Sequence, residues 1–389
     1  MTRESSSQRR DPSALTCAPG LSRKIRVAVL MGGPSPERDI SLQSGRQVVR
    51  ALDPARYDVL PVEITRDGQW LPRPDLLRLA SPAPAGDPPP ARGAAGAQPA
   101  GTALVAAHRR IDEVVGGGAV DVAFIALHGP YGEDGTVQGL LELLGLPYTG
   151  SGVLASALAM DKLRSRQVLQ ANGVPVPAYV VVDGGRWPGN RDEIAARVAR
   201  DLGYPCVAKP NAVGSSIGVG IVRDAAGLQE AIEAALAYGD VVLVEEYLRG
   251  TELTCAVLEE PDTGLPRALP LVEIVPKREF FDYAAKYEPG NSKEICPARV
   301  PAAIARRAQQ VALRVHRVLG CEGFSRVDMF LAGHNIVVLE ANTIPGMTAG
   351  SLIPLAARTA GIEFPELCNR VIASALRRDR LRRRRTGER

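Results

Sequence analysis

The sequence predicts an α/β protein, mixed with α+β, in three domains of which the N-terminal one is a parallel α/β unit. Three observations carry this. Apolar runs at Ile25–Met31 and Asp121–Leu127 each end in a glycine-bearing turn and lead into a helical stretch, the repeat of a parallel sheet. Beyond Ser151 short strands and helices surround a loop rich in glycine and serine, Asn211 to Gly218. Near the end, two strands meet in a hairpin around Ala332-Gly333-His334. The length of 389 residues exceeds the roughly 100–200 of a single domain.

Taken in order, residues 1–23 are polar and aperiodic and are expected to be disordered. Ile25–Met31 reads as a buried strand entering Gly32-Gly33, Ser41 to Leu52 as a helix, and Tyr57–Ile64 as a second strand. Seventeen of the 21 residues in 81–101 are Ala, Gly or Pro, which cannot build a core, so a mobile surface insertion is expected there. The run His128-Gly-Pro-Tyr-Gly-Glu-Asp-Gly135 precedes a helix over 136–145, closing a first domain of about 24–150. Residues 153–171 read as one helical segment carrying Met160-Asp161-Lys162 and stopped by Asn172-Gly173 and Pro175. Cys206–Lys209, Val219–Val222 and Val241–Glu245 read as strands and Ala225–Ala237 as a helix, giving a second domain over 151–248. The third, 249–376, holds an amphipathic helix over Val300–Leu319, with Ile304, Ala308, Val311, Val315 and Val318 on one stripe. The hairpin strands Phe324–Leu331 and Asn335–Ala341 follow, and an Arg-rich tail, 377–389, ends the chain.

Charge and cysteine usage narrow the function classes. The net charge of +4 is +6 over 377–389 and +3 over 1–24, which leaves −5 for 25–376. A mildly acidic body argues against a nucleic-acid surface on it. The six cysteines are spaced by 25 positions or more, so no CxxC redox or zinc pattern exists, and reduced, mostly buried thiols are expected. With no signal-peptide core and no apolar run approaching ~20 residues, the expectation is a soluble, cytoplasmic protein that engages no membrane.

The hairpin carries the most chemistry. Side chains two apart on a strand share a face, so Arg326 projects with Asp328, and Glu340 with Asn342. Val327, Met329 and Leu331 against Val337 and Leu339 are expected to bury the other face. Clustered hard oxygen donors suit Mg²⁺, which binds through one or two carboxylates plus substrate phosphates. A solvated salt-bridge network would show the same alternation, but the backbone-exposing loop Asn342 to Thr348 directly beyond it favours the metal. The loop 210–218 after Lys209 fits either a phosphate cradle or a hairpin turn, and it matches neither common nucleotide fingerprint. Lys162 is a second phosphate-cation candidate or an exposed lysine. Glu37, at the turn after the first strand, could hold an ammonium group or serve as a helix-start carboxylate.

Together these pieces resemble the D-alanine–D-alanine ligases. Gly32-Gly-Pro-Ser-Pro-Glu-Arg-Asp-Ile-Ser-Leu-Gln-Ser-Gly45 and His128 to Gly135 are similar to the family's two N-terminal signatures. Met160-Asp-Lys-Leu163, Lys209-Pro, Gly214-Ser-Ser-Ile-Gly218, Lys286-Tyr287, Arg326-Val-Asp328 and Leu339 to Thr348 match the rest, in order, over about 25–372. The extension, the insertion and the tail depart from the pattern without interrupting a motif. The resemblance implies an ATP-grasp fold with ATP between the second and third domains. Lys162, Lys209 and Lys286 would meet its phosphates under a closing loop that contains Ser216. Glu245 and the backbone of Glu246 to Leu248 would hold the adenine, with Glu252 near the ribose. Asp328, Glu340 and Asn342 would bind Mg²⁺ or Mn²⁺, as two ions. Glu37 would take the first D-alanine's ammonium, linked through Ser215 to Tyr287, with His128 also at the substrate. Arg326 and the Gly346 N–H would stabilise an oxyanion, and Ser351 would lie near the second substrate's carboxylate.

The reaction so implied activates one D-alanine as an acyl phosphate at the expense of ATP and then forms D-alanyl-D-alanine, a peptidoglycan precursor. A tyrosine at 287, where relatives using D-lactate typically lack one, points to a dipeptide product. Ligases of the same fold that take D-lactate or D-serine second are the nearest alternative, and a polyanion binder acting through the Arg tail is one of another class. The resemblance also implies a homodimer formed through the N-terminal domain.

Overall fold

The computed structural model describes residues 23–78, 111, 114–214, 217–276 and 292–386. The expectations for the N-terminal extension, the 81–101 insertion, Ser215, Ser216, Lys286 and Tyr287 lie outside these residues. The first sheet has β1 (Ile25–Gly32), β2 (Tyr57–Ile64), β3 (Trp70–Pro72) and β4 (Val122–Ile125) in the order β3-β2-β1-β4. β1 pairs in parallel with both β2 and β4. Both faces are covered: Val27, Val29 and Met31 pack to one side and Ala28 and Leu30 to the other, as the unbroken apolar run requires. Ser41, on the helix Arg38–Ala51, accepts from the Gly32 N–H and donates to the Ala126 carbonyl, both at 2.8 Å. The carboxyl ends of β1 and β4 are thus locked together, and the turns they feed point the same way.

The second sheet is antiparallel throughout, from β5 (Tyr179–Asp183), β6 (Cys206–Pro210), β7 (Gly220–Val222) and β8 (Val241–Glu246) in the order β5-β8-β6-β7. The helices Trp187–Asp201 and Leu228–Leu236 cover one face. The segment expected as one helix over 153–171 is two, Val153–Met160 and Lys162–Ala171. Asp161 breaks it: its backbone is extended, and its carboxylate accepts the Arg164 N–H at 2.8 Å as the N-cap of the second helix. The break re-aims the helix that carries Lys162.

The third sheet runs β12-β11-β9-β13-β14, with β10 on β9, from β9 (Thr251–Glu259), β10 (Pro266–Ala268), β11 (Val272–Pro276), β12 (Ser292–Ile295), β13 (Phe324–Ala332) and β14 (Asn335–Asn342). Ala308, Ala312 and Val315 of the helix Ala302–Val318 pack on it. In the hairpin, Asp328 pairs with Glu340 but Met329 with Val338, which leaves Leu339 as a bulge. The bulge corrects the expected core face of β14. Ile336, Val338 and Ala341 enter the core, whereas Leu339 lines a cleft. The helix Phe364–Thr386 packs Leu367, Val371 and Ile372 into the same core as β1, and the Arg-rich stretch set apart as a tail from 377 is its continuation. Arg378 in that stretch bonds Glu322 at 2.7 Å and the Tyr148 carbonyl at 2.9 Å.

Candidate active site

Between the second and third sheets, and closed at one end by the turns of the first, lies a cleft of about 1020 Å³. Every candidate site residue among the described ones lines it.

On the second-sheet side, strand alternation on β6 and β8 sets Lys209 and Glu245 facing the cleft. Glu245 is buried and ion-paired with Lys209 at 2.7 Å and with Arg166. The Glu246 carboxylate accepts the Ala178 N–H at 2.9 Å, and Glu246, Tyr247 and Leu248 line the cleft. Lys162 is buried, not exposed. Its Nζ donates to the Val213 carbonyl at 2.8 Å and lies 3.5 Å from the Glu340 carboxylate. Asn211 clamps the start of the same helix, its Oδ1 accepting the Leu163 N–H at 2.8 Å. Glu252, on β9, lines the cleft beside Phe330.

On the third-sheet side, Asp328 accepts four hydrogen bonds. Oδ1 receives Thr254 Oγ1 at 2.6 Å and Arg326 Nε at 2.9 Å; Oδ2 receives Arg326 Nη2 at 2.7 Å and Asn342 Nδ2 at 3.0 Å. A carboxylate has about four lone-pair sites, so the group is saturated. Glu340 sits directly across the strand pair from Asp328. Two facing carboxylates and a carboxamide fit Mg²⁺ by donor chemistry, with the remaining positions left to water and phosphate. Such an ion would require Asn342 to turn its carbonyl oxygen inward and release Asp328. Past β14, the Gly346 backbone lines the cleft, and Ser351 Oγ accepts the Thr348 N–H at 3.0 Å ahead of the helix Leu352–Thr359.

The first domain supplies the closed end. Glu37 is buried, and its carboxylate is wedged between two turns. A Cβ on Gly129 would stand 2.7 Å from Glu37 Oε2, and one on Gly214 2.9 Å from it. Gly129 also has φ +72°, so only glycine suits that position on both counts. His128 is buried with Nδ1 3.0 Å from the Ile344 carbonyl, which can only accept; Nδ1 therefore carries the proton, and Nε2 accepts from Ser44 Oγ at 3.1 Å. Ser44 Oγ in turn receives the Met347 N–H at 3.3 Å, fastening the loop beyond β14 to the first domain. Burial, with Arg326 nearby, drives the His128 imidazole down to about 4, so it is neutral at pH 7.

Sequence reasoning missed Glu133 and Arg166. Glu133 accepts the Gly129 N–H at 2.7 Å and lines the cleft, and burial together with the Glu37 charge pushes its carboxyl up to about 8. It stands inside the His128 to Gly135 run, but one carboxylate among turn residues carries no distinguishing pattern. Arg166 did have a signal: it lies four residues after Lys162, on the same helix face. None of the described cysteines lines the cleft. Burial raises the Cys255 and Cys321 thiols to about 12, and no described cysteine is in a disulfide. Among the described residues no helix is long and apolar enough to cross a membrane.

An antiparallel sheet presenting Lys209 and Glu245 across a cleft from another presenting Arg326, Asp328, Glu340 and Asn342 defines an ATP-grasp protein. Residues 26–151 match the family model described as D-ala D-ala ligase N-terminus, and residues 168–373 that described as D-ala D-ala ligase C-terminus. The chain belongs to the D-alanine–D-alanine ligase family. It is 44% identical over 354 residues to a D-alanine–D-alanine ligase of Desulforudis audaxviator, covering 91% of this chain and 99% of that one. Among solved structures, the VanG D-Ala:D-Ser ligase of Enterococcus faecalis is 31% identical with a TM-score of 0.72, covering 91% of this chain and all of that one. The D-alanine–D-alanine ligase of Bacillus anthracis complexed with ATP is 30% identical with a TM-score of 0.69, covering 92% and 99%.

Proposed function

We propose that the protein joins two D-alanines into D-alanyl-D-alanine at the expense of ATP, in the cytoplasm, as a step toward peptidoglycan. One observation carries the reading: Glu37, Lys162, Lys209, Arg326, Asp328 and Glu340 all line one cleft. Glu37 holds the first D-alanine by its ammonium group. The carboxylate oxygen of that D-alanine attacks the γ-phosphorus of ATP, ADP leaves, and Lys162 and Lys209 hold the phosphate charge. The amine of the second D-alanine attacks the acyl carbon while Arg326 and the Gly346 N–H bear the developing oxyanion. The C–O bond to phosphate then breaks, phosphate leaves with that electron pair, and it takes up the proton that the attacking nitrogen gives up. Asp328, Glu340 and Asn342 would hold Mg²⁺, which would neutralise phosphoryl charge. No side-chain nucleophile is needed.

Phosphate release from Mg-ATP with D-alanine, D-serine or D-lactate, with product masses, is the test. D-alanyl-D-alanine is the expected main product. Glu340→Gln should lower turnover by at least about 100-fold while the melting temperature stays near wild type, since loss of one charge-stabilising group costs about that much. Predominant depsipeptide or D-alanyl-D-serine would overturn the substrate assignment, and near-normal turnover of Glu340→Gln at limiting Mg²⁺ the metal assignment.

A further inference from the structure

The helix Lys162–Ala171 sends two cations into the protein one turn apart, and only the first is explained by the ligase reading. Arg166 is 1% exposed, as buried as the apolar core. Its guanidinium is ion-paired with Glu245, donates Nη2 to the Leu339 carbonyl at 3.1 Å, and lies 5.8 Å from the centroid of the Tyr179 ring. Burial draws its pKa down to about 10, so it remains charged at neutral pH. Glu245 therefore sits between two cations, Arg166 in the interior and Lys209 at the cleft wall. A carboxylate this buried is strongly disfavoured without a cationic partner. If Lys209 turns to a nucleotide phosphate, its 2.7 Å pair with Glu245 must loosen. Something else has to hold the carboxylate.

We propose that Arg166 is a positioning residue, the standing counter-ion of Glu245 that frees Lys209 to exchange a carboxylate for a nucleotide phosphate. Through the Leu339 carbonyl, the same guanidinium ties this exchange to the bulge next to Glu340. Arg166 touches no substrate. The inference rests on the reading of Lys209 as a nucleotide-binding lysine.

Steady-state kinetics with ATP and D-alanine varied separately, alongside thermal melts, test it on Arg166→Met, Arg166→Lys, Glu245→Gln and the Arg166→Met/Glu245→Gln double variant. Arg166→Met should raise the KM for ATP at least about tenfold, the scale on which outer partners of ligand-holding groups act, and leave that for D-alanine unmoved. Arg166→Lys should recover most of the loss. Once Glu245 is an uncharged amide there is no carboxylate to compete for Lys209, so the double variant should be no worse for ATP than Glu245→Gln alone. The double variant also removes both buried charges, and it carries the test should Arg166→Met not fold. An unchanged ATP KM in folded Arg166→Met, equal rises in both KM values, or additive effects in the double variant would overturn the inference and leave the ligase reading standing. A wild-type protein that shows no saturation with ATP would overturn both.

Discussion

At the scale of single residues, the closed end of the cleft makes a pH-dependent statement. Glu133 lies beside Glu37 in a desolvated corner, and burial together with the Glu37 charge lets the Glu133 carboxyl retain a proton that exposed carboxylates would release. Between the ordinary carboxylate range and about 8, the native protein keeps this proton while the unfolded chain has lost it, so stability falls as pH rises. His128 works in the other direction. Its pKa is lowered to about 4, so the unfolded chain gains a proton before the native one does, and stability falls as pH drops below the ordinary imidazole value of about 6.5. Above that value Glu133 acts without the histidine. Glu133→Gln keeps an oxygen to accept the Gly129 N–H and removes the charge. Its melting temperature should hold between about pH 6.5 and 8.5, a window in which wild type declines. Parallel declines in both proteins would show that Glu133 does not hold the proton.

At the scale of elements, legibility in the sequence followed whether an element's own residues decide its conformation. β1 was readable because an apolar run buried on both faces leaves no other reading, and the Ala302–Val318 helix because its stripe has a clear period. The break at Asp161 was not readable as a break: the flanking residues are good helix formers, and the N-cap bond that decides the matter depends on where the second helix points. β9, β11 and β12 also escaped notice, since their pairing joins residues far apart in the chain. The bulge at Leu339 was invisible for a related reason, because it exists only relative to β13. The cleft residues two apart on each strand were nonetheless read correctly, since Glu340 and Asn342 both follow the bulge. A packing consequence separates the two readings of β14. Val338→Ala should cost on the order of 1–3 kcal/mol as a core truncation, with little change in substrate KM. Leu339→Ala should cost less stability but alter the KM for ATP, because its side chain meets the cleft. Thermal melts and ATP titrations on the two variants decide it, and the reverse ranking of stabilities would place Leu339 in the core.

At the scale of the whole molecule, three sheets are held in one arrangement by contacts that converge on the cleft. The Met347–Ser44–His128 chain fastens the loop beyond β14 to the turn after β4, Lys162 joins the helix Lys162–Ala171 to Glu340, and the Phe364–Thr386 helix shares a core with β1. That geometry serves a reaction in which one carboxylate is activated and captured without leaving the site. The most direct measurement uses D-alanine labelled with ¹⁸O in its carboxylate, turned over with Mg-ATP, followed by mass analysis of the released phosphate. Attack of the carboxylate oxygen on the γ-phosphorus predicts one ¹⁸O in each phosphate per dipeptide formed. Dipeptide formed with unlabelled phosphate would contradict the acyl phosphate route on which the account stands.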